Sequence, residues 1–322
     1  MKAKSIALKI SFLLFVIAFA FTACKKRKAF NDEDGQASID SRNVQGENDG
    51  ALNDINDVIS SQASLRGRGA SAMGIQGITG NLCGFTIDTL SLGAGSVKLN
   101  YDGTTCGNRT RTGSIKLIIV NFAAGRRWKL QGCELKVEYL AYKITRASDG
   151  KSMEFNGTQT ITNETGGSWW ELLITKTQPS FVTSIRGTDL KVTFDDGKTA
   201  SYNINRRFTY TVPGGIITCT GEGIGSLNGI TKLENYGLTR DGDEFTSQVT
   251  TPIVWNMTCG PWAPFTGEVN IKMDNKSFDV KCLFGVDAGG NGFDVGPNSC
   301  PYGWKVEWKY KKKTGKKIIP YG

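Results

Sequence analysis

From Leu82 to the C-terminus, apolar residues come in short runs of β-branched and aromatic side chains broken by Gly, Asn and Asp. That punctuation predicts strands rather than helices. The clearest are Ile115 to Asn121, Leu135 to Thr145, Gly157 to Thr162, Leu172 to Thr177, Leu190 to Phe194 and Tyr202 to Val212. Asp195-Asp196-Gly197 reads as a hairpin turn, because Asp and Gly tolerate the positive φ it needs. Asp274-Asn275-Lys276 joins Glu268–Met273 to Ser277–Leu283 in a second hairpin. Near the end, Trp304, Val306, Trp308 and Tyr310 alternate with Lys305, Glu307, Lys309 and Lys311, giving one buried and one wet face. Ahead of Leu82 the pattern differs. Leu52, Ile55, Val58, Ile59 and Gln62 fall at helical spacing behind Asn48 and Asp49, which suit caps, so a short helix is expected there. Residues 25–50 are charged and polar and read as a disordered tether, since they offer too little apolar surface to offset ordering entropy. Residues 63–81, with Arg66-Gly67-Arg68-Gly69, read as a flexible linker.

The remaining apolar block is N-terminal. Lys2, Lys4 and Lys9 precede a stretch from Ile10 to Phe21, the length of a signal-peptide core and too short for the roughly 20 residues of a span. Phe21-Thr22-Ala23-Cys24 then resembles a bacterial lipoprotein signal, with Cys24 as the lipid-bearing first residue of the mature chain. Two alternatives stay open: an uncleaved anchor flanked by Lys25-Lys26-Arg27-Lys28, and cleavage without lipid, since Phe21 stands where that signal prefers Leu. The expected organisation is a leader over 1–23, a tether over 24–50 from the lipidated cysteine, a helix and linker over 51–81, and β-domains over 82–212 and 213–322, the second with a basic tail. The fold class is all-β, with two antiparallel β-sandwich-like units, the disordered tether and one short helix. About 300 residues suit two β-domains more naturally than one.

Composition narrows the chemistry. The chain has no histidine, which excludes Ser-His-Asp and Cys-His catalysis and removes the commonest ligand for zinc, copper and non-haem iron. Its formal charge of +9 falls by three, to +6, when a leader holding three lysines and no acid is removed. Export makes disulfides the expected state of the thiols. With Cys24 committed to lipid, seven cysteines remain, an odd number, so at most three bridges form. Spacing does not settle the pairing, but Cys83 with Cys106 would close an N-terminal unit and Cys259 with Cys300 a C-terminal one. Cys133, Cys219 and Cys282 are left unassigned.

The tract Tyr101-Asp102-Gly103-Thr104-Thr105-Cys106, continuing through Arg109-Thr110-Arg111-Thr112-Gly113 into Ile115, resembles a repeated pattern in secreted lipoproteins of unknown function from Bacteroidetes-type bacteria. Gly157 to Asn163 and Pro264 to Val269 share that likeness, which spans most of residues 80–310. The resemblance implies an exported location and a β-rich fold, and it carries no catalytic residue over.

Three further features invite a ligand. Trp169, Trp170 and Glu171 suggest a sugar-stacking platform with a hydrogen-bond acceptor beside it, against the alternative that the indoles are core. Asp287 to Asp294 holds one copy of most of a Gly-Gly-x-Gly-x-Asp calcium repeat, making Asp287 and Asp294 a weak calcium pair where a glycine-rich loop is the plainer reading. Arg126-Arg127-Trp128-Lys129 and the Lys309–Lys317 tail are basic; behind a lipoprotein signal their partners would be acidic glycans or lipopolysaccharide, not nucleic acid. No cofactor is expected. The sequence thus points to a non-enzymatic lipoprotein of the outer membrane, held in the bilayer through acylated Cys24 on the periplasmic or cell-surface face, with a structural or binding role and a glycan or an outer-membrane protein as partner. The alternatives are a surface glycan-binding module using exposed tryptophans and a carboxylate-dependent glycoside hydrolase.

Overall fold

A computed structural model of the chain describes residues 32–67, 83–260, 262–273, 278–293, 299–310 and 313–321. The leader, Cys24 and most of the 63–81 linker lie outside them.

Helix α1 (Asp32–Ser61) opens the described chain, followed by a single turn, α2 (Ala63–Arg66). Fifteen strands follow: β1 (Phe85–Asp88), β2 (Ser96–Cys106), β3 (Arg109–Ile119), β4 (Cys133–Arg146), β5 (Ser152–Asn163), β6 (Ser180–Phe194), β7 (Thr199–Thr211), β8 (Thr218–Gly223), β9 (Gly225–Leu227), β10 (Ile230–Leu238), β11 (Glu244–Asn256), β12 (Pro264–Met273), β13 (Phe278–Val286), β14 (Gly303–Tyr310) and β15 (Lys313–Pro320). They form one antiparallel sheet in nearly sequential order, so the fold is all-β as the pattern indicates. The expected division at residue 212 is overturned. β7, which ends there, pairs with β6 on one side and with β8 and β10 on the other, so the sheet runs straight through it. One layer of sheet suffices for this length because α1, rather than a second sheet, fills its inner face.

The tether is the second correction. Residues 32–50 are helical and, from Ser38 onward, largely buried. Gly35, Gly46 and Gly50 interrupt α1, each costing about 1 kcal/mol against Ala, and its polar residues lie on every side. Such a helix is held by its surroundings. Asn48 and Asp49, expected as caps, lie mid-helix with their side chains committed to the sheet.

β7 shows how the sheet meets the helix. Ala200, Tyr202, Ile204, Arg206, Phe208 and Tyr210 form its buried row, one residue in two. β3 does the same with Arg109, Arg111, Ile115, Leu117 and Ile119. Bulges bend the strands around α1. Gly113 sits at one, with φ +82, and a Cβ there would lie 2.0 Å from the Ala141 carbonyl oxygen. Gly267, φ +137, sits at another on β12, where a Cβ would come within 2.7 Å of Ile253 Cα. Among the described residues β1 pairs only with β2 and β15 only with β14, so the sheet has two open edges.

Cys83–Cys106 and Cys259–Cys300 are disulfide-bonded, and Cys133, Cys219 and Cys282 are buried thiols. Burial pushes the Cys133 thiol up to about 11 and Cys282 to about 12, leaving both unreactive. The expected strand Leu172–Thr177 is instead a π-turn over Trp170–Ile174. Its start is shaped by Ser168, whose hydroxyl accepts the Trp170 N–H and donates to Glu171.

Candidate functional site

α1 carries a ladder of polar side chains, each answered from the sheet. Going down the helix, Arg240 of the β10–β11 turn meets Asp40 at 2.6 Å. Arg42 pairs with Glu234 on β10 and donates to Ser247 on β11 at 3.0 Å. Gln45 accepts from Asn235 at 3.0 Å. Glu47 takes Arg109 Nε at 2.8 Å. Asn48 accepts from Tyr139 at 2.7 Å, and Tyr139 in turn accepts from Gln159 at 2.7 Å. Asp49 pairs with Arg206, which also reaches Glu234 at 3.6 Å. Asp54 pairs with Arg111 and accepts from Tyr101 at 3.0 Å. Desolvation pushes Asp49 up to about 6 against the opposing pull of Arg206, and raises Asp54 against that of Arg111.

One stripe of the helix escapes this packing. Gln36, Ile39, Asn43 and Gly46 recur every three or four residues and are only partly covered. They floor a cavity of about 370 Å³, within the range of small-molecule sites. Gly46 is the open point of that floor: nothing lies within 4 Å of where its Cβ would be. One wall is the end of β15, Ile318 to Pro320, backed by Phe284 and Trp304; the other is the start of β3 at Arg109 and the β4–β5 hairpin with Arg146 and Lys151. Trp255 and Trp262 line it as well. Arg109 lies 4.4 Å over the Trp262 ring, and Trp262 packs on Gly50, one helical turn beyond Gly46.

The charges of the cavity are unevenly answered. Glu47, Asp49 and Asp149, its three acids, are each held by an arginine. Lys151 and Lys317, exposed on its rim, have no ion pair among the described residues. Arg42 Nε and Trp255 Nε1, on two buried lining residues, have no acceptor there either. The rim lysines therefore favour an acceptor over a donor.

The sugar platform does not assemble. Trp169 is 1 % exposed and packs edge-on against Tyr210, Trp170 is half-buried beneath Arg66 at 4.2 Å, and Glu171 is buried. A turn, not an extended strand, carries them, so the alternation that would have exposed one indole is absent. Trp128, Trp255 and Trp304 are core residues too. Asp287 is engaged as a turn-former, its Oδ1 accepting from Gly289 and Asn291 at 2.8 and 2.9 Å, while Asp294 lies outside the described residues. No group of three metal-binding side chains occurs among the described residues. Of the basic clusters, Trp128 is buried and Arg127 stacks on Phe122, whereas Lys317 reaches the cavity rim.

Gly46, Glu47 and Arg206 were not singled out by the sequence, and Asp49 and Arg109 entered it only as a helix cap and as part of the lipoprotein-like tract. A signal existed for the arginines: Arg206 is in phase with Tyr202, Ile204, Phe208 and Tyr210, and Arg109 and Arg111 with Ile115 and Leu117. A cation in an inward row demands a buried partner. Comparison of the chain with protein-family models, curated proteins and solved structures finds no match.

Proposed function

We propose that the chain is a lipoprotein of the outer membrane, anchored by acylated Cys24 on the periplasmic or cell-surface face, that works by binding a small ligand in the cavity beside α1. The observation that carries this reading is the Gly46 stripe: a largely buried helix leaves one face open onto a cavity with two unpaired lysines on its rim. Binding is favoured over hydrolysis because a glycosidase needs two carboxylates free to face substrate, and the three acids of this cavity are each tied to an arginine. The secreted-lipoprotein likeness of residues 80–310 fits the anchored location.

Two measurements test it. Cys24→Ser should shift the protein from membranes to the soluble fraction; retention in the membrane would overturn the anchor. Native mass spectrometry of the protein isolated from its own membranes should show a bound small molecule that Gly46→Phe loses. A ligand-free wild type, or an adduct indifferent to Gly46→Phe, would overturn binding at this cavity.

A further inference from the structure

We infer that the cavity takes an anionic amphiphile, a carboxylate or phosphate head on an apolar chain, drawn from the bilayer beside which the protein is tethered; this rests on the anchored binding reading above. The lining divides into the two halves such a molecule requires. Of its six cations, Arg42, Arg109, Arg146 and Arg206 are answered by Glu234, Glu47, Asp149 and Asp49, which leaves Lys151 and Lys317 on the rim without an ion pair among the described residues. A neutral polar head would leave those two lysines uncompensated, whereas a carboxylate or phosphate offers only acceptors to their ammonium groups. The apolar half is Ile39, Trp262, Phe284 and Ile319, all partly covered and all lining the cavity. Large apolar side chains held at a cavity wall, neither buried nor free, are a surface for an apolar chain.

Position supplies the source. Seven residues separate Cys24 from Asp32, and the eight steps between them span at most about 29 Å. Gln36, one turn further along α1, already lines the cavity. A lipidated Cys24 thus keeps the cavity within a few nanometres of the bilayer, with Lys151 and Lys317 on its rim suited to anionic headgroups.

Calorimetry on the full chain carrying Cys24→Ser tests this with dodecanoate and dodecyl phosphate against two controls, dodecyl maltoside and inorganic phosphate. Both anionic amphiphiles should bind at least 10-fold more tightly than either control. Lys151→Glu with Lys317→Glu should weaken them about 10-fold, and Gly46→Phe should abolish binding without lowering the melting temperature. Equal affinity for dodecyl maltoside would overturn the charged head, and equal affinity for inorganic phosphate would overturn the apolar chain. If neither amphiphile binds while the membrane-isolated protein still carries an adduct that Gly46→Phe removes, the cavity serves another ligand class and this inference alone falls. Loss of that adduct result as well would remove the binding reading beneath it.

Discussion

From Ser38 to Asp49, α1 meets the sheet mainly through charges and amides; from Ala51 to Ser60 it meets it mainly through Ala51, Leu52, Ile55, Val58 and Ile59. Both stretches are largely enclosed; the first leaves a face open to the cavity of about 370 Å³, whereas the second, at Leu52, Asn53 and Asn56, borders one of only about 20 Å³. Ion pairs are directional, so a polar helix can be fastened from some sides and left uncovered on another. Hydrophobic burial is non-directional and closes wherever it can. The half held by charges is the half that can carry a site.

Breaking the charged half should have the largest effect. Arg206→Ala strands Asp49 and Glu234 without their shared cation and should cost about 3–5 kcal/mol in urea unfolding. In the apolar half, Ile59→Ala should cost about 3 kcal/mol, with no change in its pH dependence. A smaller loss from Arg206→Ala than from Ile59→Ala would reverse the contrast.

pH probes the charged contacts. The folded-state value of Asp49, about 6, stands above its value of about 3.9 in the unfolded chain, so folding favours the protonated form. Its contribution is complete below about pH 4 and is lost as pH rises through 6. Measured against Asp49→Asn, the wild type should therefore lose on the order of 2 kcal/mol between pH 4 and pH 7. A constant difference across that range would show that Arg206 fully offsets the burial of Asp49.

Two glycines a turn apart give the finest comparison. Gly50→Ala places a Cβ 2.6 Å from the Trp262 ring and should destabilise by about 1 kcal/mol after the gain in helix propensity. Gly46→Ala meets open space and should stabilise by about 0.5–1 kcal/mol in thermal unfolding. Destabilisation by both would mean that the Gly46 face is closed.

Much of the sheet was legible from local pattern. The period-2 rows of β3, β7 and β14 and the Asp195-Asp196-Gly197 turn follow from residues near one another in the chain, whereas the pairing of the two disulfides, left open by spacing, is settled in the fold. Helix α1 was legible only from Leu52 onward, where four apolar residues keep a helical period. Upstream, residues 32–50 carry three glycines and polar side chains throughout, and no local term favours order. Their helix exists because Arg109, Arg206, Glu234 and Tyr139, each more than 60 residues away or nearly 200, converge on them. By itself the sequence determined most of the longer strands, the Asp195-Asp196-Gly197 turn and the apolar rows, because these rest on periods of two and on backbone preferences that act within a few residues. Only the tertiary structure decided that one sheet would curl around a polar helix, that Trp169 would be core, and that Gly46 would face a cavity. Those outcomes depend on ion pairs and close approaches between distant segments, which leave no period in the chain.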